Sequence, residues 1–357
     1  DGDHNTAIGY KALEDYDDGD GNGHNTAVGS KSQFNATTGE FNTSLGSLSM
    51  GVGVTTGDYN VALGYKAGEY ITSGTQNTII GSFAGDALTT GSSNIAIGYG
   101  AMSTANGTES RNVAIGQFAL FSMDADGNNY NTAVGYSAGN GMTTGSQNTI
   151  VGGLAGGALT EGNNNVALGY LALSAETLGD RNIAIGVNAL NAQNNTSDVD
   201  SYNVAIGYEA GKAILTGVKN TLIGGLAGDA LTVGDNNVAL GFKSLSTADD
   251  GDGNVSIGAF ALEDFNGADG EGFNTAVGAF SQTQADTGQF NTSIGAYSMG
   301  TGITTGDNNT ALGYYAGEDL VAGVQNTFVG SGAGKSMTGG DNNVAIGFEA
   351  LATEDGN

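Results

Sequence analysis

Cysteine, proline and tryptophan are all missing from the 357 residues. Without cysteine there are no disulfides and no thiolate chemistry, a condition compatible with secretion. The 64 glycines come with no proline and no Gly-X-Y period, which excludes collagen. Basic residues are scarce, 9 Lys and Arg against 37 Asp and Glu, giving a formal charge of −28. Such a chain repels phosphate backbones and anionic lipid, so neither nucleic acid nor membrane insertion is expected of it. No apolar run approaches the ~18 residues of a membrane-spanning helix. The chain opens on Asp1 inside a repeat, with no basic start or signal peptide, so a mature fragment or a window of a longer chain is expected.

What is present is a repeat. Asn60-Val-Ala-Leu-Gly64, Asn77-Thr-Ile-Ile-Gly81 and Asn94-Ile-Ala-Ile-Gly98 follow one another, the Asn returning at every seventeenth position. The register extends to twenty anchors, from Asn5, Asn25 and Asn42 to Asn309, Asn326 and Asn343, at intervals between seventeen and twenty-one. Counting the Asn as zero, position +3 is Ile, Leu or Val, +4 is Gly and +7 is Ala or Ser in all twenty copies. A fixed short period points to stacked units that each contact their neighbours, so residues 1–357 read as one continuous array.

Within a unit, the β-branched +1 and the aliphatic +3 share one face of a short strand. Helix is a poor alternative, because Gly and β-branched residues recur in every turn. A second apolar position falls at +11 (Ile71, Leu88, Met142, Leu159 and others), followed by Gly with Asn, Asp or Ser, which is turn chemistry. The predicted fold is therefore all-β: a parallel β-solenoid, or β-roll, of about twenty rungs. At about 4.8 Å per rung the rod would be roughly 95 Å long. Anchor Asn should stack on anchor Asn, and Asn60, Gly64, Asn77, Gly81, Asn94 and Gly98 are structural residues. Small +7 side chains, such as Ala67, Ala138 and Ala210, are expected where a thin coil brings two walls together.

Order exists above the single rung. Position +2 is Ala or Ser except at Ile79, Ile150, Leu222 and Phe328, and in those rungs +5 is small: Ser82, Gly153, Gly225 and Ser331. This covariation predicts that +2 and +5 share a packing surface. It marks modules starting at Asn60, Asn131 and Asn203, with a partial one at Asn309. The first six anchors map onto the last six at a constant numerical offset of 249, the signature of block duplication. A second copy placed after Asn357 would continue the register at an interval of nineteen, so head-to-tail continuation and excision from a longer chain are both open.

The motif, as in Asn5-Thr-Ala-Ile-Gly9 with Ala12 and Asn112-Val-Ala-Ile-Gly116 with Ala119, resembles the head repeats of YadA-like trimeric autotransporter adhesins. It is also similar to repeats in phage tail fibres and bacterial surface fibres. The resemblance covers the whole chain and implies a β-roll, often homotrimeric, displayed on a cell or virion surface and used for attachment. The repeat here is longer than in those heads.

Catalysis finds little footing. His4 and His24 precede adjacent anchors and should stack at a turn, and no nucleophile elbow or phosphate loop is present. The acidic turns carry the one chemical signal. Asp18-Gly-Asp20-Gly-Asn22 matches the first half of an EF-hand loop, and Asp124-Ala-Asp126-Gly-Asn128 and Asp250-Gly-Asp252-Gly-Asn254 come close. Alternating carboxylate and amide oxygens suit calcium, but the closing bidentate Glu is missing, and solvated turns that keep a fibre soluble are the alternative. Aromatics at +5, including Tyr10, Tyr99, Tyr170, Phe242 and Phe348, fit either packing between walls or protomers or a stacking ladder for glycans. The expected function is a non-enzymatic, extracellular structural or adhesive fibre that associates with itself, head to tail or as a homotrimer, and meets a surface receptor or glycan. A trimeric adhesin head or tail-fibre shaft, and a calcium-dependent surface-layer component, are the alternatives.

Overall fold

The computed structural model describes residues 4–17, 23–104, 107–267 and 272–353. Among these residues there are twenty strands of three residues each and no helix. They belong to two compact units, one of residues 1–180 with 196–198, the other of 181–195 with 199–357. In the first unit the strands run from β1 (Thr6–Ile8) to β10 (Val166–Leu168), each paired in parallel with its successor. The second unit repeats this arrangement from Ile183–Ile185 to Val344–Ile346. Register follows the anchors, with Thr78 opposite Ile95 and Ile80 opposite Ile97. Each unit is thus a parallel β-solenoid with one rung per repeat, as the spacing predicts.

A coil this tight must turn sharply while keeping its peptide groups parallel to the axis, where the neighbouring rungs are. It does so by visiting positive φ at the same four positions, −1, +4, +6 and +8, in all twenty rungs. In the rung of Asn77 these are Gln76 (59°), Gly81 (131°), Phe83 (58°) and Gly85 (49°). These φ values turn the N–H groups at the corner toward the neighbouring rungs. Gln76, Gly81 and Phe83 donate to Asp58, Leu63 and Tyr65 of the rung before, while Gly85 donates to Ala101 of the rung after. Positions −1, +6 and +8 hold 49 residues other than Gly, and none of them is Val, Ile or Thr. β-Branched side chains are the ones that positive φ tolerates least. Position +4 needs Gly twice over, because its φ of 131° to 145° is closed to side chains and a Cβ on Gly81 would lie 2.5 Å from the Gly98 carbonyl oxygen.

The anchor Asn closes each rung. Asn77 Nδ2 donates to the Gly91 carbonyl at 2.8 Å, tying the strand to the turn that ends the same rung. Its Oδ1 accepts the backbone N–H of Asn94 at 3.0 Å, and every consecutive pair of anchors within either unit repeats that bond. All these anchors are buried except the terminal ones, so the ladder supplies partners where water cannot.

The interior belongs to +2, +7, +8 and +11, not to the larger residues at +1 and +3. Position +2 is buried in every strand but the first, while +1 and +3 are never buried. In the thin coil +7 meets +2 of the next rung, as Ser244 Oγ does Ser256 Oγ at 2.6 Å, which is why +7 is Ala or Ser throughout and +2 is Ala or Ser outside the four rungs named above. The covariation of +2 with +5 does not come from the predicted shared surface. Side chains at +2 point inward and those at +5 outward, and a bulky +2 is accommodated by Gly at +8. A Cβ on Gly85 would stand 3.2 Å from Ile79 Cδ1, and one on Gly334 would stand 2.5 Å from Phe328 Cδ1. Rungs with Gly at +8 fill the core from +11 (Ile71, Leu88, Met142), and rungs such as those of Asn94 and Asn112 fill it with Met102 and Leu120 at +8.

Two substitutions test these assignments. Gly81→Val should cost about 3 kcal/mol or more through strained φ and the clash with Gly98, seen as a lower urea midpoint and as faster amide exchange in the rungs on either side. Asn77→Ala should cost about 3 to 5 kcal/mol, because the Asn94 N–H and the Gly91 carbonyl lose buried partners. Near wild-type midpoints would refute the corner and the ladder respectively.

Candidate interaction face

Outward-facing residues of the sheet come from +1 and +3, and +5 borders them one residue past the glycine corner. Position +1 is Thr, Val or Ile throughout, and +3 is Ile, Leu or Val. Position +5 is Tyr or Phe in nine rungs and otherwise Ser, Ala, Gly, Gln or Val. None of these 60 positions carries a charge, although the chain holds 46 charged residues. They are nonetheless open to solvent: Leu168 is 44% exposed, Tyr170 52%, Leu240 43% and Phe242 48%. Each unit therefore presents an apolar, charge-free stripe on an otherwise acidic surface, a combination that marks interaction sites.

Aromatic rings run along the borders. At +5 and +6 the edge-to-face series Tyr65, Phe83, Tyr99, Phe118 has centroids 5.4 to 5.8 Å apart, and Phe260, Phe280 and Tyr297 stack at 4.9 Å. Position +5 projects outward, so the predicted packing of these rings between the walls of one coil does not occur. At −1, His4, His24, Phe41 and Tyr59 stack in one column at 4.7 to 5.1 Å, which places the two histidines as predicted. Further along the first unit Arg111, also at −1, bonds the Tyr130 hydroxyl, and in the second unit Arg181 at −1 pairs with Asp200.

Charge is confined to the corners and turns. Asp58, Asp235, Asp252, Asp307 and Asp341, two residues before an anchor, each accept a backbone N–H of the rung before at 2.7 to 2.9 Å. Asp252, a predicted calcium ligand, is thus engaged with the Asp235 N–H, and Asp250 accepts the Thr232 hydroxyl at 3.0 Å. Asp124, Asp126 and Asn128 lie exposed on one turn, and Asp126 accepts the Thr108 hydroxyl at 3.2 Å. Asp18, Asp20 and Asn22 lie outside the described residues. Among the described residues no three Asp, Glu or His side chains converge to hold a metal ion.

Sequence pattern gives no hint of the buried acids. Glu176 is fully buried, and its Oε1 accepts the N–H groups of Thr177, Leu178 and Gly179 at 2.8 to 3.1 Å. Glu109 is also fully buried, but only its Oε2 is bonded, to the Gly107 N–H at 3.1 Å. Burial first, with Asp124 and Asp126 adding to it, raises its carboxyl above the ordinary 4.5 against the pull of the backbone bonds.

No protein-family model matches the chain, and no curated protein matches it. What the fold and the face define is a class: a parallel β-solenoid repeat protein with an apolar, charge-free sheet surface.

The sign of the Glu109 shift makes a pH prediction. A raised carboxyl binds its proton more tightly folded than unfolded, so the stability it contributes is complete below 4.5 and is lost as pH rises through the higher folded value. In chelator-treated protein, Glu109→Gln should melt higher than wild type at pH 7, and the gap should close below about pH 4. A pH-independent difference in melting temperature would exclude this account.

Proposed function

We propose that the chain is a non-enzymatic structural segment of an extracellular fibre, and that further copies of the same chain cover its sheet face. The observation that carries this reading is the absence of charge from 60 exposed or half-exposed positions in a chain of net charge −28. A globular partner would need one local patch, whereas the stripe is free of charge in every rung. A partner of the same periodicity meets every rung alike, and another copy is the simplest such partner. Confining charge to the corners leaves the acidic coat facing solvent when copies pack face to face, which keeps the assembly soluble. The resemblance to trimeric adhesin heads favours three copies about one axis and a surface location. An adhesive role draws support from the exposed aromatic borders, whose rings stay available at the rim for glycan contact.

Sedimentation and negative-stain electron microscopy test this directly. Wild type at tens of micromolar should form threefold particles or longer fibres. The double variant Leu168→Glu, Leu240→Glu should keep its fold within about 0.5 kcal/mol per site, since both residues are exposed, yet remain monomeric. A wild-type chain that stays monomeric, or a double variant that assembles unchanged, would sink the proposal.

A further inference from the structure

Between +6 and +9, three of the four modules carry an ion pair. Lys66 and Glu69 meet at 3.1 Å in the rung of Asn60, Glu209 and Lys212 at 3.1 Å in the rung of Asn203, and Glu318 and Lys335 at 3.3 Å across the rungs of Asn309 and Asn326. The module of Asn131 has Ser137 and Asn140 at those positions instead. In its next rung, Gly157 stands where Asp86 and Asp229 accept the hydroxyls of Ser103 and Ser246 in the sister modules. With those charged side chains replaced by small or neutral ones, a cleft of about 330 Å³ opens across three rungs, lined by Leu154, Leu171, Ala158 and Gly157 together with Ser137, Asn140 and Ser174. None of these residues is charged, in a chain of net charge −28. The volume lies at the lower end of the ~300 to 1,000 Å³ that small-molecule pockets span.

Ser137 is only 7% exposed, and among the described residues its hydroxyl has no hydrogen-bond partner. Asn140 Nδ2 donates to the Phe118 carbonyl at 3.4 Å, which leaves Oδ1 open to a ligand. A buried hydroxyl without a partner is costly, and a ligand that supplies one removes that cost. We propose that this cleft binds one neutral sugar residue of a surface glycan. A hydroxyl that both donates and accepts, beside an amide oxygen that accepts, suits the hydroxyl groups of a sugar, while Leu154 and Leu171 suit the C–H face of its ring. Tyr170, next to Leu171, adds an aromatic border: its ring reaches over Gly153, where a Cβ would lie 3.5 Å from Tyr170 Cδ2. An anion finds no cationic side chain in this lining, a cation finds no carboxylate, and a wholly apolar group would leave Ser137 unsatisfied. The proposal rests on the adhesive reading above for the origin of the sugar. It gives that reading a single site within the first unit, off the +1 and +3 face that further copies cover.

Ligand-observed NMR titration of the full chain with the methyl glycosides of glucose, galactose, mannose and N-acetylglucosamine tests the site. At least one should bind saturably, near one equivalent per chain, with a Kd of about 1 mM, the affinity expected of so small a ligand. Ser137→Ala should weaken that binding about fivefold, the loss of one hydrogen bond. The double variant Ser137→Lys, Asn140→Glu copies the pair of Lys66 and Glu69 at the equivalent positions, so it should fold and assemble as wild type does while binding no glycoside. The proposal is overturned if none of the glycosides binds wild type, or if the double variant binds as wild type does. Binding of many equivalents that survives in the double variant would put sugars on the aromatic borders, sparing the adhesive reading and removing this site. Loss of assembly in the double variant would make the occupant a second copy of the chain, which also overturns the proposal.

Discussion

Everything in this fold depends on keeping peptide hydrogen bonds parallel to one axis while the chain runs around it. Three-residue strands satisfy that condition without effort, but the corners between them do not. The chain meets it there by alternating the sign of φ, so that the N–H groups at +4 and +6 reach the rung before and the one at +8 reaches the rung after. The conformational cost is borne by every rung and repaid by bonds that only stacking provides. A single rung has none of those partners, so stability is a property of the array.

Residue choice follows from this geometry more closely than from hydrophobicity. Val, Ile and Thr crowd +1 and +3, where the backbone is extended, and vanish from −1, +6 and +8, where φ is positive. Inside and outside are consequently reversed from the usual order. Ala at +2 is buried and Ile or Leu at +3 is half exposed, because the coil is too thin to hold two large side chains across its width. The small volume left inside is shared among +2, +8 and +11, and one position yields wherever another fills.

The repeat, its strand, the Gly corner and the Asn stack are legible in sequence because each recurs at a fixed phase, and phase is what a stacked fold preserves. Other features are not. Both +2 and +3 are apolar, so alternation alone cannot say which side faces in, and the covariation of +2 with +5 invites a contact that opposite side-chain directions forbid. The positive φ at Phe83 or Leu120 is hidden because neither residue type advertises it. The only trace is the missing β-branched residues at those positions, which can be read once the corner is known. Glu109 cannot be found by spacing at all, since it sits in a turn of variable length and its burial depends on the rung that follows. The acidic residues two before an anchor look like solvated turn residues, yet they accept backbone N–H groups and belong to the fold.

The exchange between +2 and +8 also limits how such an array can grow or shrink. Ile79 lies against the glycines of its own rung and the rung before, Gly85 and Gly68, so those two rungs share one pocket and are inherited together. Removing one of them alone would leave either a void or a collision, whereas removing both returns neighbours of matching shape. The natural unit of lengthening is thus a doublet or a larger block, consistent with six anchors recurring at a numerical shift of 249. Wherever a bulky +2 is shared in this way, the reach of the array changes in steps larger than its period.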